Sequence, residues 1–182
     1  KKTNLSLFSN PDYEVGRGKV IQVLWYIVNS FLFKSYLLPF SFIKNRILKI
    51  FGAKIGHGVV IKPNVNIKYP WKLKIGDYTW IGEEVWIDNL GEITIGSNCC
   101  LSQGVMLLCG NHNYKAVDFT LIVKPIIIED GAWVGAKSLV CPGVKLGSHS
   151  ILSVQSVANK DLENYGIYKG NPAEKVNTRK IR

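Results

Sequence analysis

The sequence predicts a mainly β protein, built as a triangular-prism solenoid of parallel strands with a helical cap at its N-terminal end. Between residues 55 and 160 an aliphatic residue returns every six positions, and the residue four places on is small or β-branched. The residue after the aliphatic one is often Gly, which we expect to supply a positive φ where the backbone turns. A six-residue unit holds one short strand and one corner, so three units form a triangular coil, and coils stack about 4.8 Å apart. The first position of each six-residue unit is its first place, and the first-place residues are Ile55, Ile61, Ile67, Ile75, Ile81, Ile87, Ile95, Leu101, Leu107, Ile128, Val134, Val140, Leu146, Leu152 and Ala158. The small fifth places include Val59, Val65, Thr79, Val85, Cys99, Val105, Ala132, Ser138, Val144, Ser150 and Ser156.

Breaks in the six-residue phase indicate where the solenoid is interrupted. Ile67 to Ile75 and Ile87 to Ile95 are steps of eight, so one corner of each of the first two coils carries two added residues. Ile95 and Ile128 are 33 residues apart, whereas a plain coil takes 18, so 15 residues bulge out within 109–125. Loops on rigid scaffolds often carry chemistry, and we therefore expect the functional site at this bulge.

The chain before the solenoid, residues 1–53, is predicted to be an N-terminal arm followed by capping helices. Residues 1–17 have the composition of a loose arm, and apolar residues at helical spacing predict a helix over 18–33. A second helix follows Pro39, and Gly52 ends it. The apolar face predicted for the first helix is Val20, Leu24, Ile27, Val28 and Phe31. The second has Phe42, Ile43, Ile47 and Ile50 on one face, with Lys44, Arg46 and Lys49 on the other.

Two roles stay open for these helices. A solenoid needs its first coil covered, because an open strand edge invites aggregation. The alternative is a basic amphipathic anchor lying on a membrane surface. Residues 54–163 form the predicted β-helix domain, with its protruding loop at about 109–125. Residues 164–182 form a C-terminal extension, in which 165–172 are expected to leave the β-helix and 173–182 to form a basic tail.

Composition restricts the partners. A net charge of +10 suits anionic partners, namely coenzyme A phosphates, nucleotide sugars or anionic lipid, while no nucleic-acid-binding motif accompanies the charge. The four Cys have no CxxC spacing, which favours reduced thiols in the cytosol and gives no zinc signature. The N-terminal residues lack a signal-peptide pattern, so we expect a cytoplasmic protein. Within the cytoplasm, the inner face of the membrane is an alternative place of action.

Several runs resemble a known superfamily. The hexads, the loop sequence GNHNY (110–114), the closing GNPAEKV (170–176) and the runs YPWKLKIGDYTWIG (69–82), LGEITIG (90–96) and LSQGV (101–105) resemble the hexapeptide-repeat, left-handed β-helix acyltransferases. Within that superfamily they look like the colanic acid and extracellular polysaccharide biosynthesis acetyltransferases. The resemblance implies left-handed coils and a homotrimer with sites between subunits. It also implies acetyl-CoA as co-substrate, no metal, and O-acetylation of a sugar hydroxyl of a polysaccharide or of its lipid-linked oligosaccharide precursor.

His112 is the catalytic residue that the resemblance implies. A neutral imidazole takes the proton of the acceptor hydroxyl while that oxygen attacks the thioester directly, without a covalent enzyme intermediate. The other histidines, His57 and His149, stand at outward places of their hexads and are predicted to be plain surface residues.

Residues near the same corner as His112 are candidates for contacts to the acceptor and to the imidazole. Asp88, Asn89 and Asn111 are expected to contact the acceptor sugar. If the 20-residue register continued into the bulge, Glu92 would lie one coil below His112 and its carboxylate would fix the imidazole tautomer. The alternative for Glu92 is a surface carboxylate beside basic residues.

The coenzyme A contacts are carried over from the resemblance. Trp133 matches an aromatic residue that packs on the pantetheine arm. Its alternative role is structural, as a side chain packed at the edge of the core. Gly135 and Ala136 match backbone contacts at the thioester end, and Ser153 and Val154 match the next contacts along the arm. Lys160, Pro172 and Lys175 are placed to meet the adenine and phosphate end.

Other functions weighed against this one are N-acetylation of an amino sugar, a zinc hydratase on the same prism, and a catalytically silent scaffold. The hydratase needs three His ligands, two of them close in sequence, and no second His lies near His112 (position 117 is Val). The loop His and the intact segment at Gly135 argue against a silent scaffold.

Overall fold

A rod of parallel strands forms the body of the computed structural model, which describes residues 2–182. Within those residues the strands are, in chain order, β1 (Lys54–Ile55), β2 (Val60–Ile61), β3 (Asn66–Ile67), β4 (Leu73–Ile75), β5 (Trp80–Ile81), β6 (Trp86–Asp88), β7 (Ile93–Ile95), β8 (Cys100–Leu101), β9 (Met106–Leu108), β10 (Gly110–His112), β11 (Leu121–Val123), β12 (Ile126–Ile128), β13 (Trp133–Val134), β14 (Leu139–Val140), β15 (Lys145–Leu146), β16 (Ile151–Leu152), β17 (Val157–Ala158), β18 (Gly166–Lys169) and β19 (Glu174–Thr178).

The strands form the three faces of a prism. The first face has the order β1-β4-β7-β12-β15, the second β2-β5-β8-β13-β16-β18, and the third β3-β6-β9-β14-β17, with parallel pairing throughout. Consecutive strands of the chain go to successive faces, so three hexads make one coil. The predicted triangular β-helix is confirmed.

The core is the set of first-place residues. Every one of the fifteen is at most 7% exposed, and each stacks on its equivalent one coil away, as Ile55 does on Ile75 and Ile75 on Ile95. The eleven fifth-place residues are buried as well. Each coil therefore buries its aliphatic side chains against the coils above and below it, which is the dominant stabilising term of a solenoid.

The glycine that follows the aliphatic residue has a different reason from the one expected. Gly after the first place was predicted to supply a positive φ, and this is wrong, because the positive φ falls two residues later, as at Tyr78 (54°) and Asn98 (56°). At Gly76 an added Cβ would stand 2.6 Å from the backbone of Gly96 and Ser97 in the next coil. Gly is required there because the coils approach closely.

Gly76→Ala is expected to lower the free energy of unfolding by about 1–3 kcal/mol, since backbone atoms of the next coil have to move. Gly104→Asn is the matched control. Gly104 has φ +66°, and the nearest contact of an added Cβ there would be a Lys137 side-chain carbon at 3.3 Å. Asn already occupies the same corner place at 64 and 98. Thermal unfolding at fixed protein concentration should show a clear drop in Tm for the first variant and a small change for the second. Equal Tm values would contradict the close-approach explanation.

The two helices, α1 (Lys19–Val28) and α2 (Ser41–Ile50), lie against the first coil, and a π-helical turn (Asn29–Phe33) extends α1. Trp25 donates from Nε1 to the carbonyl of Ile67 (2.9 Å), and Asn29 accepts from the amide of Ile67 (3.3 Å). Asn45 in α2 donates to the carbonyl of Val59 (2.8 Å). These side chains satisfy backbone groups on the open edges of β2 and β3, which is what a cap must do.

Each helix packs a different face against the rod from the face predicted. Val20, Leu24, Ile27 and Phe31 are exposed, while Trp25, Asn29 and Phe33 are buried. In α2 the buried residues are Lys44 and Leu48, whereas Phe42 and Ile50 point to solvent. The reason is the need of the strand edges for hydrogen-bond partners. Trp25 and Lys44 donate to backbone carbonyls and Asn29 accepts from a backbone amide, which aliphatic side chains cannot do.

Lys44 is the clearest of these corrections. Predicted on the polar face, it is fully buried, and its Nζ donates to the carbonyl of Lys62 (2.7 Å) and more weakly to that of Ile61 (3.4 Å). Burial lowers the pKa of Lys44 to about 8, because desolvation disfavours the charged ammonium.

Two further segments complete the chain. The bulge predicted within 109–125 is a β-hairpin in which β10 and β11 pair antiparallel, His112 standing opposite Leu121. The C-terminal extension was expected to leave the β-helix, but β18 adds another parallel rung to the second face, and β19 pairs antiparallel with it. The buried Tyr168 ties this rung to the core.

Candidate active site

The hairpin is rooted at the corner between the third and first faces. At its base the amide of Cys109 donates to the carbonyl of Asp88 (3.2 Å), and the amide of Lys124 donates to the carbonyl of Cys109 (2.9 Å). The two hairpin strands thus leave from, and return to, a rigid coil. His112 is the last residue of β10, just above that base.

His112 is held in one orientation by its own loop. Its Nδ1 lies 2.8 Å from the carbonyl oxygen of Phe119, and the two rings stack with centroids 4.4 Å apart and an angle of 8°. A carbonyl oxygen can only accept, so Nδ1 carries the proton and Nε2 keeps its lone pair when the imidazole is neutral. The chain presents Phe119 through a turn in which this residue has φ +52°. The arrangement leaves Nε2 as a proton acceptor.

The N-terminal arm also reaches the hairpin. The amide of Asn4 donates to the carbonyl of Val117 (2.8 Å), and Asn10 accepts from the amide of Leu121 (2.9 Å). Phe8 lies tilted against the His112 ring, with centroids 5.8 Å apart. The expectation of a loose arm is therefore wrong. Phe8 and Phe119 were missed because neither belongs to a periodic pattern, and a stacking partner in an irregular segment leaves no sequence signal.

The predicted placement of Glu92 below His112 is wrong. β7 and β12 pair with Ile93 opposite Ile126, so the coil position above Glu92 is filled by the chain returning from the hairpin. The carboxylate of Glu92 lies 2.6 Å from Nζ of Lys74 on the first face. The hairpin interrupts the register, and the carbonyl of Phe119 takes the orienting role that the carboxylate was expected to have.

The three candidate acceptor residues have different surroundings. Asp88 lies beside the hairpin base, opposite Leu108, and its Oδ1 is 2.9 Å from Nζ of Lys68. It also lines a groove of about 420 Å³ between α1 and the third face, together with Tyr69 and Trp86. Asn111 is exposed on the hairpin and accepts from the amide of His112 (2.8 Å).

Asn89 does not face a substrate. It is fully buried, its side-chain oxygen accepts from the amide of Tyr69 (2.9 Å), and its amide nitrogen donates to the carbonyl of Tyr69 (2.6 Å). The prediction of an acceptor contact is corrected to a structural role, in which Asn89 ties two neighbouring coils at the corner with the two added residues.

The predicted cofactor residues lie on the second face and at the corner between the second and third faces. Trp133 is partly exposed and donates from Nε1 to Oγ of Ser102 (2.9 Å). Gly135 and Ala136 form this corner in one coil, and Ser153 and Val154 form it in the next, with the amide of Gly135 bonded to the carbonyl of Leu152 (2.7 Å). These backbones line one edge of the rod.

Three further residues were predicted at the phosphate end. Lys160 is exposed after β17, and Pro172 lies in the turn between β18 and β19. Lys175 in β19 pairs with Glu163, Nζ to Oε2 at 2.6 Å, and this hydrogen bond raises the pKa of Lys175. Both partners are exposed, and such pairs are worth little, so the ammonium can exchange this partner for a phosphate.

The candidate residues thus form two groups on different corners of one protomer. His112, Asn111 and Asp88 stand at the corner between the third and first faces, and the predicted cofactor residues from Gly135 to Val154 stand at the corner between the second and third. The third face separates them, so one rod does not bring them together.

The cysteines do not offer a nucleophile. Cys99 and Cys109 are buried, and burial raises the pKa of each thiol to about 11. Burial also raises the pKa of Cys100 and Cys141. The thiolate is the reactive form, so these residues stay unreactive thiols near neutral pH. Among residues 2–182, no cluster of three or more His, Cys, Asp or Glu side chains has a metal-binding arrangement.

A parallel β-helix with a histidine-bearing hairpin at one corner defines the class of hexapeptide-repeat acyltransferases. No family model matches the chain. It is 37% identical over 176 residues, covering 97% of both sequences, to WcaF of Escherichia coli, which is provisionally named a colanic acid biosynthesis acetyltransferase. The chain therefore belongs to the hexapeptide-repeat acetyltransferases and groups with the colanic acid biosynthesis acetyltransferases.

Solved structures agree on the fold. The hexapeptide-repeat acetyltransferase VCA0836 of Vibrio cholerae, in complex with acetyl-CoA, superposes with a TM-score of 0.82 at 20% identity, covering 97% of both chains. A galactoside acetyltransferase in complex with coenzyme A superposes with a TM-score of 0.76 at 20% identity, covering 87% of this chain and 80% of that one. The fold is therefore the left-handed β-helix of these enzymes, and the protein is an acetyltransferase by its family.

Proposed function

We propose that the protein transfers the acetyl group of acetyl-CoA to a sugar hydroxyl of a polysaccharide or its lipid-linked precursor, with His112 as general base. The observation that carries this proposal is the bond from Nδ1 to the carbonyl of Phe119, which leaves Nε2 to accept a proton. The relative WcaF is named for colanic acid biosynthesis, and this supports a polysaccharide acceptor. Because acetyl-CoA is a cytoplasmic metabolite, the reaction is proposed to take place in the cytoplasm.

The mechanism follows from this tautomer. Nε2 of His112 takes the hydroxyl proton as the hydroxyl oxygen bonds to the thioester carbonyl carbon, and the Nδ1–H bond to Phe119 stabilises the imidazolium that forms. When the carbon–sulfur bond breaks, the imidazolium returns its proton to the leaving thiolate. The product is an acetate ester plus coenzyme A, and His112 is neutral again. Because all four thiols have raised pKa values, transfer proceeds directly rather than through an acyl-cysteine.

The complete site is proposed to lie between two copies of the chain in a homotrimer. The cofactor corner is the corner between the second and third faces, where Gly135, Ala136, Ser153 and Val154 lie. Within one rod, His112 and this cofactor corner are on opposite edges of the third face, so a neighbouring copy has to bring its cofactor corner to the hairpin. The surfaces available for such contacts are apolar. The outward row of the third face includes Trp86, Met106 and Leu139, and the second face exposes Trp80 and Trp133. On the first face three of the five residues in the equivalent row are Lys54, Lys74 and Lys145, beside Thr94 and Ile127, so this row is the most polar of the three.

The cofactor groove is proposed to run along the neighbour's corner. The indole of Trp133 would pack on the pantetheine arm, while the backbones at Gly135, Ala136, Ser153 and Val154 would bond its amides. Lys160, Pro172 and Lys175 would meet the adenine and phosphates. Asp88 and Asn111 remain the proposed contacts to the acceptor, since both lie next to the histidine hairpin.

Acetyl-CoA turnover against matched acceptors tests the proposal. Release of the coenzyme A thiol is followed with sugars that carry only hydroxyls, with the corresponding amino sugars, and with lipid-linked oligosaccharides. The product is then treated with hydroxylamine, which cleaves esters but leaves amides. We expect an ester product. A stable amide would assign the chain to N-acetylation of an amino sugar, and absence of turnover with every acceptor would favour a catalytically silent β-helix.

A further inference from the structure

The helix α1 carries an apolar stripe that no part of the chain covers. Val20, Leu24, Ile27 and Phe31 follow helical spacing and are 72%, 48%, 47% and 65% exposed. The opposite side of the same helix already packs on the rod through Trp25 and continues into the buried turn. The stripe is therefore not needed for α1 to cap the first coil. Exposed apolar patches of this kind mark interaction surfaces.

The exposed apolar surface continues through the connection into α2. Leu37 is 79% exposed and Phe40 57%, and in α2 Phe42 is 61% and Ile50 81% exposed. Since α1 and α2 both contact the first coil, these side chains gather at one end of the rod. Among residues 2–182, no helix is long and apolar enough to cross a bilayer.

The charge of the protein is concentrated in the same part of the chain. The 62 residues from Val15 to Gly76 contain eleven Lys or Arg and no Asp or Glu, whereas the remaining residues hold twelve basic and thirteen acidic side chains. Arg17, Lys19, Lys34, Arg46 and Lys49, which border the apolar residues, are all exposed. The net positive charge of the sequence thus comes from the segment that forms the two helices and the first coil.

We propose that this helical end docks in the plane of an anionic phospholipid bilayer. Apolar side chains on short helices bordered by exposed cations match the chemistry of a membrane interface, where apolar groups enter the acyl boundary and the cations meet lipid phosphates. A second copy of the chain does not suit this surface, because the basic ends of the two copies would repel each other.

The orientation of the rods favours the same partner. In a trimer of parallel rods, which rests on the proposed assembly above, three such ends would face one plane. Three contacts with one bilayer bind far more tightly than one contact. The hairpin with His112 would then stand two coils above the lipid headgroups.

Vesicle sedimentation of the full chain tests this docking, and it needs no acceptor or acetyl-CoA, so its outcome is separate from that of the proposed reaction. The vesicles contain phosphatidylglycerol and phosphatidylcholine, or phosphatidylcholine alone. We expect binding to the anionic vesicles, weaker binding to the neutral ones, and release at high salt. Absence of binding to anionic vesicles would overturn the proposal.

Two double variants separate the apolar and ionic contributions. Leu24→Gln with Ile27→Gln is expected to reduce the partition coefficient on anionic vesicles about tenfold or more, and Arg46→Gln with Lys49→Gln to reduce it several-fold. Val176→Gln replaces an apolar residue in β19 that is more exposed than Leu24 or Ile27, and this variant should bind as the unmodified protein does. Thermal unfolding and light scattering accompany each variant. Unchanged binding of the apolar double variant would overturn the proposal, as would loss of the oligomer by a folded variant, because the stripe would then be a contact between copies.

Discussion

Replacement of His112 by Asn is expected to lower kcat for acetyl transfer by about 10²–10⁴-fold, the usual contribution of a general base, while KM for acetyl-CoA changes little. The Asn amide nitrogen can stand where Nδ1 stands, so it can keep the bond to the carbonyl of Phe119 and preserve the hairpin. What it lacks is the Nε2 lone pair. The variant therefore removes the proposed base and leaves the proposed cofactor groove untouched.

His57→Ala is the matched control for that prediction. His57 is an exposed imidazole at a corner of the first coil, and its backbone amide, not its ring, is the group bonded to Asp77 (2.7 Å). Its replacement should leave kcat unchanged. Steady-state kinetics with varied acetyl-CoA, together with the Tm of each variant, separate loss of the base from loss of folding. A folded His112→Asn enzyme with unaltered kcat would remove the proposed mechanism.

The period of the solenoid could be predicted because each hexad meets only its equivalents one coil away. An inward place such as Ile81 sees the same place of the coils on either side, so the chemical requirement repeats along the chain. For the same reason, the position of the hairpin could be predicted from the single large break in phase. The register within the hairpin could not, since nothing repeats there, and the expected position of Glu92 failed for that reason.

The faces of the cap helices could not be predicted from hydrophobic periodicity alone. α1 is apolar on two sides, and the side that packs is the one whose Trp25 and Asn29 can bond the free edge of β3. Lys44 was assigned to solvent because charged side chains rarely lie buried, yet it caps two carbonyls of the first coil. The free backbone groups of a strand edge need hydrogen-bond partners from another part of the chain. The hydrophobic pattern of a helix carries no information about this need.

The histidine of the site could be singled out, but its partner could not. Every residue offers a carbonyl, so nothing in the side chain of Phe119 identifies it as the acceptor for Nδ1. The separation of the two residue groups on different corners is likewise a property of the coil geometry.

Heterotrimers of two inactive variants are expected to recover about one third of the unmodified activity. The first variant is His112→Asn, which lacks the base and keeps the cofactor corner. The second is Ala136→Glu, which places a bulky anion in the proposed pantetheine groove and keeps the hairpin. Glu83 occupies the same place at the same corner two coils earlier, because β5 and β13 lie on the same face, so the β-helix accommodates Glu there.

The expected fraction follows from cyclic symmetry. If each site takes its hairpin from one protomer and its corner from the next, a ring with both variants has one pair in which the intact hairpin meets the intact corner. This holds for two copies of either variant with one of the other, so one site in three is active. The two chains are co-expressed with different affinity tags, purified through both, and assayed for acetyl-CoA turnover per trimer, with each variant alone as the inactive reference. Activity no higher than that of the separate variants would mean that hairpin and corner of the same chain form the site, and that the division of the site between neighbours is wrong.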